Sequence, residues 1–290
     1  MIIDAHVHLW KEQKGLIDGK PVYGIGGGKS MFGSKVMQML PPYMQDDCNS
    51  AERLIANMDY AGVNACVVTQ EYIDGNQDAY LTEVKKAYPH RIKICSLYQE
   101  NKDYLSEDFD GIKICAGRLS KVSLAETLPV FRAAEKNGKF ISIDMAEGGV
   151  QVPELEELIR QCPKVKIAIG HFGMVTVGGW EKQIALAKYP NVYIESGGIT
   201  WLFNREFYPY PSAVEAILTA RDICGMDKLL WGSDYPRTMT AITYKMSFDF
   251  IIKSERLTEK EKALFLWENA AAFYGFGQLE ELPCIRNMVE

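Results

Sequence analysis

Met1–Trp10, MIIDAHVHLW, opens the chain as an apolar strand that ends in two histidines. Side chains at i and i+2 of a strand point to one face, so His6 and His8 point the same way. On a surface strand such a pair carries little meaning. At the end of a buried strand it brings two imidazoles within reach of one cation. Similar apolar runs recur along the chain, at about 2–6, 64–69, 92–97, 111–115, 140–145, 165–170, 192–196 and 229–233. Most are almost continuously apolar, as parallel strands covered by helices are. Helical patterns separate them: Ala51–Tyr60, Tyr80–Ala87, Leu124–Lys136, Pro153–Cys162, Trp180–Lys188 and Ser212–Ile223. Gly138 and Pro163 punctuate the ends of two of these. Eight strands alternating with helices predict an α/β protein, a (β/α)8 TIM barrel, with residues 1–290 as one domain.

Composition agrees with that reading. Of the 290 residues 47% are hydrophobic and 24% charged, enough for a large core. The net charge of −6 and the lack of a Lys/Arg-rich run speak against nucleic acid or an anionic membrane as partner. No basic leader precedes an apolar stretch, and no apolar run is long enough to span a bilayer. The seven cysteines are scattered without C-x-x-C spacing; Cys66, Cys95 and Cys115 sit in predicted strands as small core residues. A reduced, cytoplasmic protein that acts on a small molecule is expected, and a homodimer would not be surprising for such a barrel.

The connection 9–50 is unusually long and holds Gly24, Gly26, Gly27 and Gly28. A long loop at the C-terminal end of a barrel strand lies over the active site, so a mobile substrate lid is expected. The glycines do not match a phosphate-binding loop and do not directly follow a strand.

His171 ends the sixth predicted strand and Asp234 the eighth, at the rim that carries His6 and His8. A barrel gathers such strand ends around one pocket. Taken singly, His171 has a lesser reading as a core histidine, and Asp234, before Tyr235-Pro236, one as a turn or cap residue. His90 lies before the third strand, on the opposite rim, and is expected to be structural. Gln70, Glu71 and Tyr72 follow the second strand, Arg118 the fourth, and Tyr235 and Arg237 the eighth. Two arginines at one rim suit a carboxylate-bearing substrate, although each also reads as a solvated surface residue. Trp201, Phe203, Phe207, Tyr208 and Tyr210 would wall a ring or simply pack a loop. Lys113, inside the fourth strand, is a weaker candidate for a carboxylated metal bridge.

The three segments MIIDAHVHLW, KVKIAIGHFG (164–173) and LLWGSDYP (229–236) resemble signature strands of the amidohydrolase superfamily. More narrowly they resemble the branch of aminocarboxymuconate semialdehyde decarboxylase and the pyrone-dicarboxylate lactonases. ENAAAFYGF (268–276) is similar to that branch's closing helix. The resemblance implies metal ligands from the H-x-H pair, a strand-five histidine and the strand-eight aspartate, and a strand-six histidine that touches substrate. Residue by residue this gives His6, His8 and Asp234 as ligands and His171 as the catalytic histidine. Strand five departs from the pattern: KFISIDM carries Asp144 where a histidine would stand. An oxygen ligand there would shift one bound divalent ion from zinc toward manganese; the lactonase relatives imply that the metal can also be absent. The implied activity is hydrolysis of a lactone, ester or amide in a small carboxylated molecule, with Asp234 as general base. Decarboxylation of an aromatic or unsaturated acid is the alternative, and a ligand-binding barrel without catalysis a third.

Overall fold

A computed structural model describes residues 1–100 and 106–283; Cys284 lies outside them. Strand β1 (Ile3–Val7) is followed by β2 (Gly15–Ile17), β3 (Lys20–Gly26), β4 (Lys29–Phe32) and β5 (Lys35–Gln38). The remaining strands are β6 (Ala65–Val68), β7 (Ile92–Leu97), β8 (Gly111–Ile114), β9 (Phe140–Ile143), β10 (Ile167–Ile169), β11 (Val192–Glu195) and β12 (Leu229–Leu230). β1 and β6 to β12 form one eight-stranded parallel sheet in chain order, with helices in the connections. The seam between its ends is closed by backbone bonds from Ala5 N to Trp231 O (2.9 Å), Asp234 N to His6 O (2.9 Å) and His8 N to Tyr235 O (2.8 Å). The molecule is therefore a (β/α)8 barrel.

All eight predicted strands are present. The last is the shortest, because beyond Leu230 the chain leaves the β11 ladder and turns to bond β1. Outward-facing residues such as Cys66, Ile141 and Ile169 join one large cluster with the helices. Inward-facing Ala65, Val67, Cys95 and Ala168 pack with Phe273 and Tyr274, which close the bottom of the barrel. Full burial of a branched side chain such as Val67 or Ile141 stabilises the fold by roughly 1.5–3 kcal/mol. The β1–β6 register shifts between Asp4 and Val7, an irregularity of the kind that re-aims side chains. His6 lies within that stretch and His8 beyond it, and both reach the rim where they meet Asp234. Six described cysteines are free thiols, and among the described residues no helix is long and apolar enough to cross a membrane.

The segment 9–50, expected as a long loop over the active site, carries regular structure of its own. β2 to β5 form a four-stranded antiparallel sheet. Its glycines make a turn, with Gly26, Gly27 and Gly28 all at positive φ between β3 and β4, where a side chain would be strained. The sheet docks on the barrel through Leu16 N to Tyr72 O (2.8 Å) and a small apolar cluster of Val22, Met39 and Ile73. Gly15 is needed for that close approach: a Cβ there would lie 2.0 Å from the Ile73 carbonyl oxygen.

Candidate active site

Three buried side chains converge at the C-terminal rim. His6 Nε2 lies 3.1 Å from His8 Nε2 and 3.9 Å from Asp234 Oδ1, and His8 Nε2 lies 2.9 Å from the same oxygen. Ligand atoms at such separations suit an ion bound at about 2.0–2.2 Å from each. Among the described residues these three alone form a group of His, Cys, Asp or Glu able to hold a metal. Glu195, at the end of β11, meets His6 Nδ1 at 2.6 Å. A proton on Nδ1, accepted by Glu195, leaves Nε2 with its lone pair directed at the other two ligand atoms. Burial and the nearby Lys113 hold the His6 imidazole well below its usual pKa, and burial pushes Glu195 up to about 8. The buried Glu195 carboxylate calls for a nearby positive charge, and a cation held at Nε2 of the neutral His6 would supply one. Buried His8 Nδ1 and Glu195 Oε1 also lack a hydrogen-bond partner among the described residues. The donor set thus fits a divalent ion.

Backbone geometry fixes the remaining ligand. Asp234 sits at φ 59° and His171 at φ 52°, the left-handed region that non-glycine residues rarely occupy. Asp4 helps to hold this turn: its carboxylate accepts from Ser233 N (2.8 Å), the Ser233 hydroxyl, the Tyr244 hydroxyl (2.6 Å) and His6 N (3.0 Å). Asp234 Oδ2 accepts from Trp201 Nε1 at 2.7 Å. Against the cost of burial, Arg237 and His8 hold the Asp234 carboxyl far below the usual carboxylate range.

Asp144, the proposed fourth ligand, is engaged elsewhere. Its Oδ1 is 2.7 Å from Lys113 Nζ, and its Oδ2 is 3.5 Å from His171 Nε2. Lys113 is fully buried on β8, and Asp144 keeps it an ammonium despite that burial. A positively charged lysine is not the nucleophile that forms a carbamate. His171 donates from Nδ1 to Gly197 O (2.8 Å). Although burial disfavours its cation, Asp144 raises His171 to about 9.

A pocket of about 840 Å³ opens over these residues; its walls include Asp144, His171, Trp201, Asp234, Arg118 and Arg237, with Ile17, Phe32 and Met37 from the small sheet. Glu71 also lines it. Its Oε1 accepts from Arg118 Nε (3.0 Å) and Nη2 (2.9 Å), and its Oε2 lies 3.3 Å from Arg237 Nη2. Arg237 further meets Asp74 Oδ2 at 3.0 Å and Asp234 Oδ1 at 3.2 Å. Gln70, Tyr72 and Tyr235 are not among the lining residues. Gln70 is buried and bonds Asp78 and the Cys95 carbonyl, and Tyr235 is buried in the seam beside Tyr244. Of the aromatic run only Trp201 lines the pocket; Phe207 is 92% exposed and Tyr210 packs on Phe250. Sequence reading missed Glu195, although a carboxylate ending the run VYIE was a visible signal. It also missed Asp74 and the bridge that Asp144 makes from Lys113 to His171.

Similarity to known proteins fits this geometry. Residues 3–276 match the profile of the amidohydrolase family. A relative, the uncharacterized protein y4mH of Sinorhizobium fredii, is 24% identical, covering 94% of this chain and 98% of that one. Three solved structures share the fold. A probable 2-pyrone-4,6-dicarboxylic acid hydrolase from Acinetobacter baumannii has a TM-score of 0.66 at 18% identity, over 95% of this chain and 99% of that one. An amidohydrolase from Burkholderia multivorans with bound zinc has a TM-score of 0.68 at 15% identity, again over 95% and 99%. The 5-carboxyvanillate decarboxylase of Novosphingobium aromaticivorans, complexed with manganese, has a TM-score of 0.55 at 16% identity, over 78% and 80%. With the profile spanning nearly its whole length, and a histidine pair, a histidine and an aspartate at the expected strand ends, this chain belongs to the amidohydrolase family.

Proposed function

We propose that this protein is a metal-dependent hydrolase that opens a lactone or a related ester or amide in a small molecule. The observation that carries the reading is the convergence of His6 Nε2, His8 Nε2 and Asp234 Oδ1 on one buried point. Zinc or manganese suits two imidazoles and a carboxylate. Such an ion supplies Lewis-acid polarisation and makes water a stronger acid. The chain's own groups do the rest. Asp234 Oδ2, oriented by the Trp201 N–H, takes the proton of the attacking water and later returns it to the leaving oxygen or nitrogen. His171, fixed through its Nδ1 on Gly197 O, presents Nε2 to the pocket and donates to the oxyanion that forms.

Release of CO2 from an aromatic acid is the second reading, favoured by the likeness in fold to a manganese-bearing decarboxylase. A panel of lactones followed by proton release, run beside a CO2 assay on aromatic acids, separates the two. Asp234→Asn is expected to lower lactone turnover by about 10²–10⁴-fold with the fold retained. Wild-type turnover in that variant refutes the role of Asp234.

A further inference from the structure

Two arginines at the pocket wall invite the expectation of a carboxylate-bearing substrate, and the structure gives them another occupant. We infer that Glu71 is a specificity-determining residue that occupies Arg118 and Arg237 and withholds them from substrate carboxylates. The inference rests on reading this pocket as the substrate site and concerns which molecules it admits.

Glu71 spans the pair. One oxygen takes the Nε and Nη2 donors of Arg118, and the other faces Arg237. That is the way a bound carboxylate would sit, since guanidinium offers adjacent donors in a fixed fork. Glu71 is also held in place, because its carbonyl accepts from Asp74 N and Gly75 N at 3.1 Å each. Its side chain is only 12% exposed, and both arginines hold its carboxyl below the usual range despite burial. Arg237 already meets Asp74 and Asp234 besides Glu71. Two guanidinium charges at this wall therefore face three carboxylates.

An incoming carboxylate gains little here. To reach the fork of Arg118 it must displace Glu71, and a displaced, largely buried carboxylate loses charge-assisted bonds. A substrate that carries no carboxylate toward this wall avoids the exchange. The pocket is accordingly suited to an uncharged lactone and poorly suited to a planar dicarboxylate.

The test is titration calorimetry of isophthalate, a planar dicarboxylate, into the purified wild-type protein, Glu71→Gln and the double variant E71Q/R118A. Glu71→Gln keeps the shape of the side chain and removes its charge; Glu71→Ala is the second variant should the first not fold. Isophthalate is expected to bind the Glu71 variant at least about tenfold more tightly than wild type, and the gain is expected to vanish without Arg118. Equal affinity in wild type and variant, including no measurable heat in either, overturns the inference. So does a gain that survives loss of Arg118. These outcomes do not depend on turnover, so failure of the hydrolase reading shows separately, as wild-type protein inactive on the lactone panel.

Discussion

Glu195 orients His6 as a donor toward its neighbours. By accepting from Nδ1 of His6 it leaves Nε2 as the lone pair that points toward His8 and Asp234. Partners of this kind tune metal affinity without touching the ion. Glu195→Gln is therefore expected to weaken zinc binding about 10–100-fold, read by competition with a chromophoric chelator. Unchanged affinity would show that Glu195 has no part in the site. At this scale the sequence was informative about His6, His8, His171 and Asp234, since each closes an apolar strand run. It was uninformative about Asp144 and Arg118. Their roles depend on Lys113 and Glu71, which lie on neighbouring strands or loops, and pairing across strands leaves no local pattern.

At the scale of elements, the seam between β1 and β12 and the small sheet β2–β5 set the shape of the pocket. The seam was only partly foreseeable: both strands were expected, but not the register shift in β1 or the way Asp4 fastens the Ser233–Asp234 turn. The small sheet was not foreseen. Its outward residues Leu16, Tyr23, Ile25 and Val36 are exposed apolar side chains, which blurs the alternation that marks a half-buried strand. Its glycine cluster reads as loop although it makes one tight turn. Docking of this sheet depends on Gly15, whose absent side chain lets the Ile73 carbonyl approach. Gly15→Ala is expected to loosen β2 from the barrel and speed protease cleavage within 9–50, with the barrel helices still formed by circular dichroism. Cleavage at the wild-type rate would mean that the docking does not require a bare backbone there.

For the molecule as a whole, the barrel was legible because each of its units repeats one local pattern, a buried apolar strand followed by an amphipathic helix. The position of the site followed from the fold, since strand ends distant in sequence meet at one rim. The substrate was less legible, because it depends on charge balance among residues from different loops, as Glu71, Asp74, Arg118 and Arg237 illustrate. We propose that the barrel gathers His6, His8 and Asp234 to hold one divalent ion. Metal content by inductively coupled plasma mass spectrometry, on wild type and His6→Ala after chelation and reconstitution, tests it most directly. The expected result is about one zinc or manganese per wild-type chain and a loss of most of it in the folded variant. Reconstituted wild-type protein with no metal above background, or a His6→Ala variant that keeps its full complement, would contradict the account.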